Sequence, residues 1–359
     1  MLEAAIKQKP DWDFQLISPK ALHPGHSHIY SRPNVEVTVD RSVWSKTGPT
    51  WLHFRLPHLI RTIQPDLFWS TLFLLPVRYT KRSNVPVIMN VHDVNPFVAP
   101  RTMKTWNRIY SSLFLRESIR MADRVLCLSF NTKNDILQTV ANIDERKLAV
   151  LYPGISKPPE LRSVPASLPG DVKEFFLSVG TLEARKNFDT LIHAYNQARV
   201  ANSYIPPLVI AGSPGWKAGQ LLDDLKQGKL QSSGVYFVSK PSDAELFWLY
   251  ENATALFFPS LHEGFGLPML EALHFKKPVY VSDIAIFREI LPDADFIAPL
   301  DIAGWAYWFQ YLCRNQGKVL TLNESEWTYE YRAKQLCNEF ETTSKMTSKA
   351  SEATATTKH

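Results

Sequence analysis

Cysteine is scarce. The three in 359 residues, Cys127, Cys313 and Cys337, are odd in number and lie far apart, which excludes a disulfide framework and a thiolate metal cluster. They are expected to be buried thiols in a reducing cytosol. Long apolar runs are missing as well. The longest candidate, Leu67 to Val77, falls short of the roughly 20 residues that span a bilayer and is bounded by Asp66 and Arg78. The N-terminus carries Glu3 and Lys7 among alanines in place of an apolar signal core, so secretion is not expected. No G-x-G-x-x-G follows a strand, which disfavours a nicotinamide enzyme. His23, His26 and His28 share a polar loop without a spaced carboxylate or cysteine, and no metal site is expected of them.

What is present is an α/β chain long enough for two domains, with 45% hydrophobic residues. Short β-prone runs alternate with helical patterns, the signature of parallel sheets. Five prolines between Tyr152 and Asp171 mark a boundary. The expected division is an N-terminal domain over 1–155, a linker over 156–173, a C-terminal domain over 174–325, a helix over 326–341 and a disordered tail from Thr342. Charge is uneven: residues 1–155 hold 20 Lys and Arg against 12 Asp and Glu, a balance of +8, leaving −3 for the rest. No nucleic-acid motif accompanies that basic half, so a membrane surface or phosphorylated lipid is its expected partner, against the alternative of a plain solvated face. The helix expected over Arg101–Met121 interleaves Trp106, Tyr110 and Phe114 with arginines and is the candidate for that contact. The alternative is that its aromatic stripe packs into the core.

The most informative stretch is ALFFPSLHEGFGLPMLEALHFKKPVYVSD, residues 255–283. It reads as a buried strand, a turn through Gly264, Phe265 and Gly266, a helix start at Leu267 and Pro268, and a second strand. A ligand belongs just past the C-terminal end of such a strand, where backbone N–H groups at the helix start favour phosphate. Glu263 and Glu271 frame the turn, and a carboxylate pair can grip the vicinal hydroxyls of a sugar or ribose. Strand Phe175–Val179 ends at Gly180, and Arg185 and Lys186 follow just ahead of a helix that Asn187 can cap. One is a fork and the other a point charge, suited to a diphosphate. His92 closes a strand in the N-terminal half, a position where such sheets place ligand contacts.

EGFGLPMLE, with seven residues between Glu263 and Glu271, resembles the signature of retaining glycosyltransferases of family 4. SVGTLEARKN at 178–187, PLVIAGS at 207–213, SDAELFWLYENA at 242–253 and PVYVSD at 278–283 follow in that family's order. HDVNPFVAPRTM and ESIRMADRVLCLS extend the resemblance into the N-terminal half. The resemblance implies the GT-B fold, two Rossmann-like doubly wound domains facing a central cleft, with the last helix crossing back to the first domain. It also implies transfer of a hexose, with a lean to mannose, from a nucleotide diphosphate sugar to a saccharide or polyprenyl-linked acceptor in surface polysaccharide synthesis. By the same resemblance no metal is required. Arg185, Lys186 and the N–H groups of Gly266 and Leu267 would stabilise the leaving diphosphate, Glu263 would hold the hexose, Glu271 the ribose, and His92 would lie beside the donor sugar. A nucleotide-sugar epimerase and a non-catalytic nucleotide-sugar-binding subunit are the alternatives. Two departures from the family stand out. Ser239 and Pro241 replace its usual glycine-bearing turn, and the first strand and glycine-rich turn ahead of the helix at Met1 are missing, so a truncated or misassigned start is expected.

Overall fold

The computed structural model describes residues 1–76, 85–98, 105–215 and 219–356. They form two compact units, one made of Met1–Gly154 with Ser325–His359 and the other of Ile155–Glu324.

In the first unit, helix α1 (Leu2–Gln8) precedes strands β1 (Phe14–Ser18) and β2 (Val35–Val39). A π-helical turn at Trp51–Arg55 runs into α2 (Leu56–Ile63). There follow β3 (Phe68–Ser70), β4 (Val87–Val91), α3 (Thr105–Met121), β5 (Arg124–Cys127), α4 (Phe130–Thr139) and β6 (Leu148–Val150). Strands β3 to β6 form a parallel sheet in that order, and β1 and β2 pair separately, also in parallel. Strand β4 is apolar except at Asn90, which accepts from the Trp69 indole at 3.0 Å, because both of its faces are covered. Val87, Met89 and Val91 pack with Ile60, Leu115 and Ile119, and Ile88 packs on the other side with Ala5, Leu126 and Leu336. Among the described residues the strands of this unit form two separate sheets, β1 pairing with β2 and β3 with β4 at the edge of the other.

For the α3 stripe, the packing at Tyr110 and Phe114 follows the core-facing alternative. Tyr110 and Phe114 are half-buried, meet the His53 ring edge-on and at a tilt respectively, and pack against the core. Burying aromatic area against a sheet outweighs leaving it in water. Of the other residues named for that face, Arg101 and the side chain of Trp106 lie outside the described residues. Helix α4 is capped by Ser129, whose hydroxyl accepts from the Thr132 N–H at 2.9 Å.

The second unit contains β7 (Phe176–Val179), α5 (Phe188–Ala201), β8 (Leu208–Gly212), α6 (Gly219–Lys226) and β9 (Val235–Ser239). It continues with α7 (Asp243–Asn252), β10 (Ala255–Phe258), α8 (Leu267–His274), β11 (Val279–Ser282), α9 (Ala285–Ile290), β12 (Asp295–Ile297) and α10 (Ile302–Leu312). All six strands are parallel, in the order β12-β11-β10-β7-β8-β9. The chain builds outward from β7 in one direction and returns with β10 on its other side, so the strand order reverses between β7 and β10. Doubly wound folds bind ligands at that reversal. The proline-rich residues 156–173 carry no helix or strand, yet Leu168 and Val172 are buried in this unit. Ser242 and Glu245 form a capping box on α7. The turn between Ser239 and Pro241 passes through left-handed backbone at Lys240, φ 49°, where glycine would be less strained.

The last helix, α11 (Tyr329–Thr356), belongs to the first unit, where Leu336 and Phe340 pack with Ala4 and Ala5. Its length corrects the expectation of a disordered tail. Thr343 is buried and bonds back to the Glu339 carbonyl, and extending a helix already nucleated by packing costs little.

The divided sheet has a measurable consequence. Edge strands leave backbone groups unpaired on one side, so hydrogen exchange is expected to be faster in β1, β2 and β3 than in β4, β5 and β7. Equal protection across these strands would show that the division has no energetic cost.

Candidate donor site

Because β7 and β10 are neighbours, the loops leaving their C-terminal ends meet. The loop after β7 is fastened to the loop after β10 by the Leu261 N–H, which donates to the Arg185 carbonyl at 2.8 Å, and by Asn187. Asn187 has left-handed backbone, φ 56°, and its amide donates to the carbonyls of Pro259 at 3.1 Å and Pro299 at 2.7 Å. It occupies the N-cap position of α5 but makes no capping bond there, a correction to the expected role. Its side chain serves the clamp between loops instead.

That clamp brings Arg185, Lys186 and Glu263 together. Glu263 is buried and accepts from Arg185 Nη1 at 3.0 Å, from the Lys186 ammonium, and from Ser260 Oγ at 2.7 Å. Glu183 holds Arg185 from the other side, with Nε at 2.9 Å. Burial pushes the Glu263 carboxyl upward, but Lys186 and Arg185 more than offset it and hold it below the usual carboxylate range. Burial also draws the Lys186 ammonium down, against the attraction of Glu263. Gly180 makes room for this arrangement: a Cβ there would lie 3.1 Å from Cε of Lys186. Gly212, at the end of β8, is fixed by a closer approach, since its Cβ would sit 2.0 Å from the Gly180 carbonyl oxygen.

The glycine turn follows directly. Phe265 is buried beneath it, and Gly266 has φ 112°, with Met269 and Phe287 crowding the space a side chain would need. No side chain caps the N-terminus of α8, and Pro268 in its first turn brings no N–H of its own. The start of the helix is thus composed as an anion site requires. Glu271 lies one turn further along and is separate from the Glu263 cluster. It accepts from the hydroxyl of Tyr250 at 2.7 Å, and Tyr250 is fully buried on α7. Burial raises the Glu271 carboxyl, the Tyr250 bond lowers it and Asp243 raises it, and the net shift is upward.

Of the residues expected at the site, Gly180, Arg185, Lys186 and Glu263 converge, and Gly264, Phe265, Gly266, Leu267 and Glu271 follow them as turn and helix. His92 lies in the first unit, exposed just past the end of β4. Sequence reasoning missed Ser260, Tyr250 and the clamping role of Asn187. Ser260 stands three residues before Glu263 and was within reach of a local reading. Tyr250 is 21 residues from its partner and offered no local signal.

Two consequences can be measured. Glu263→Ala leaves the buried Lys186 ammonium without its carboxylate and strips half-buried Arg185 of one of its two; it is expected to destabilise the second unit by about 3–5 kcal/mol in denaturant titration, the usual cost of breaking a buried pair. Glu271 behaves in the opposite way. Its native carboxyl sits above the ordinary value, so ionising it costs stability once the pH rises past the unfolded value, and that cost is complete above the folded one. Glu271→Gln is therefore expected to raise the melting temperature at pH 7 and to leave it unchanged near pH 4.

Comparison with known proteins accords with this geometry. Residues 10–157 match the model of Glycosyltransferase Family 4, and residues 163–316 match Glycosyl transferases group 1. The chain is 30% identical over 233 residues to the O-antigen chain mannosyltransferase RfbU of Salmonella typhimurium, covering 63% of this chain and 62% of that one. It is 27% identical over 249 residues to the O-antigen chain mannosyltransferase B of Escherichia coli, covering 68% and 64%. The chain thus spans somewhat under two thirds of these relatives. Among solved structures, the Anabaena protein HepE in complex with UDP and glucose superposes with a TM-score of 0.68 at 15% identity, over 95% of both chains. Sucrose-phosphate synthase from Thermosynechococcus elongatus gives 0.66 at 17% identity, over 95% of this chain and 91% of that one. These two establish the fold, which is GT-B. With one family domain in each of its two units, the chain belongs to glycosyltransferase family 4.

Proposed function

We propose that this chain transfers a hexose, mannose being favoured, from a nucleotide diphosphate sugar to a saccharide or lipid-linked acceptor in surface polysaccharide synthesis. The observation that carries the reading is the buried cluster of Arg185, Lys186 and Glu263 at the strand-order reversal, next to the uncapped start of α8. The names of the mannosyltransferase relatives favour mannose and a polysaccharide acceptor. The place of action in this reading is the cytoplasmic side of a membrane, and among the described residues no helix is long and apolar enough to cross one.

In this reading the departing diphosphate takes over Arg185 and Lys186 as partners, and the N–H groups at Gly266 and Leu267 receive the remaining charge. Such groups accelerate the reaction to the extent that they bind the developing charge better than the intact donor. Glu263, released from part of its ion pairing, would accept hydroxyl hydrogen bonds from the hexose. Glu271, oriented by Tyr250, would accept from the ribose. For His92 the proposed role is a contact with the transferred sugar.

A thermal-shift screen of GDP- and UDP-sugars identifies the donor, because a ligand that binds only the folded state raises the melting temperature. Labelled donor, incubated with and without lipid-linked acceptor, then separates transfer from epimerisation and from binding without turnover. Arg185→Ala and Glu271→Ala are expected to weaken nucleotide diphosphate binding at least about tenfold each, a change of ~1.4 kcal/mol. Isothermal titration showing unchanged affinity in both would remove this assignment of the donor site. In the parent chain donor affinity should also fall on acidification, beginning above the ordinary glutamate pKa, because protonated Glu271 loses its charge as an acceptor.

A further inference from the structure

The first half also carries a run of positive charge away from α3. From Arg41 to Pro65 the chain has four Lys and Arg, at Arg41, Lys46, Arg55 and Arg61, and no Asp or Glu. Within that stretch Val43, Trp44 and Phe54 are 72%, 47% and 53% exposed, and the Trp44 and Phe54 rings lie 5.8 Å apart. An adjacent pair of large aromatic rings left in water is costly unless something covers it.

The pair is held in place by the fold. Asp40 is buried and accepts from the indole of Trp51 at 3.1 Å, from Arg55 Nε at 3.2 Å and from Ser42 Oγ at 2.7 Å. Thr50 Oγ1 donates to the Trp44 carbonyl at 3.1 Å, tying the Val43–Lys46 turn to the helix start. The Leu56 N–H bonds to the Trp51 carbonyl five residues earlier, a widened π-turn that spans Phe54. Trp51, Leu52, Leu56 and Ile60 anchor the segment in the core, while Phe54, His58 and Arg61 are exposed. Asp40 engages Arg55, which leaves Arg41 and Lys46 as exposed cations flanking Val43 and Trp44 in the chain.

We infer that this surface docks on an anionic lipid bilayer, with Trp44 and Phe54 entering the headgroup region and Arg41 and Lys46 pairing with lipid phosphates. Tryptophan and phenylalanine favour that depth, and basic residues beside them gain from the negative surface potential. A second protein partner is less well matched, because the stretch from Arg41 to Pro65 offers no carboxylate with which to fix a register. The inference deepens the lipid-linked acceptor reading above by naming the face that meets the lipid. Its test uses neither donor nor acceptor, so it stands or fails separately from sugar transfer.

The experiment is co-sedimentation of the full chain with phosphatidylcholine vesicles, with and without phosphatidylglycerol, at low and high salt. Binding is expected only with phosphatidylglycerol and should weaken with salt as screening shortens to about 8 Å or less. The pair Trp44→Ser with Phe54→Ser, and separately Arg41→Glu with Lys46→Glu, should each reduce binding about tenfold or more. Both variants should keep the parent's melting temperature and its nucleotide affinity, which separates lost docking from lost folding. The proposal is overturned if the parent chain does not bind, if it binds neutral vesicles equally well, or if either folded variant binds like the parent. It is also overturned if the parent is a dimer by sedimentation equilibrium and the aromatic variant a monomer, since a second copy would then be the occupant.

Discussion

The buried carboxylate of Glu263, held between Arg185, Lys186 and Ser260, is the interaction on which the second unit is arranged. Charges are taken out of water only at a cost of several kcal/mol each, and that cost is tolerated where the geometry satisfies every charge. Here it does: two cations and a hydroxyl meet one carboxylate, and Glu183 completes the bonding of Arg185. The partners lie 78 residues apart in the chain and meet only because β10 inserts beside β7. The reversal of strand order is what assembles the cluster, and the clamp through Asn187 holds it.

The same cluster explains why a stable arrangement can also be a functional one. A replacement of similar volume without charges would stabilise such a site as well or better. Under the proposed function the charges are kept because Arg185 and Lys186 serve as partners for a diphosphate. Glu271 shows the converse case, a carboxyl kept at a burial that raises its pKa and held by one tyrosine hydroxyl. Strain of this sort is common where a site must bind something that the free protein lacks.

Much of this was legible in the sequence. Strands β7, β10 and β11 announce themselves as short apolar runs ended by turn residues, and the Gly264–Gly266 turn with Pro268 after it fixes where a helix must start. The capping box at Ser242 and Glu245 was readable because both partners lie within one helical turn. Tyr250 was not readable, since its bond to Glu271 is made across packed helices, and no spacing encodes that. The α3 stripe left two readings open for a related reason: Tyr110 and Phe114 interleaved with arginines fit a core-facing helix and a surface helix equally well, and their packing depends on His53, far away in sequence. The exposed pair Trp44 and Phe54 was hidden because its display depends on a π-turn and on the bonds around Asp40.

The most direct test of the central claim compares nucleoside diphosphate with nucleoside monophosphate binding in the parent chain and in Lys186→Ala, by titration calorimetry. If Arg185 and Lys186 are the counter-charges of the leaving diphosphate, the parent should bind the diphosphate at least about tenfold more tightly than the monophosphate, a difference of ~1.4 kcal/mol. That preference should largely disappear in Lys186→Ala while monophosphate affinity is kept. A Lys186→Ala chain that is folded and retains the full diphosphate preference would contradict the account.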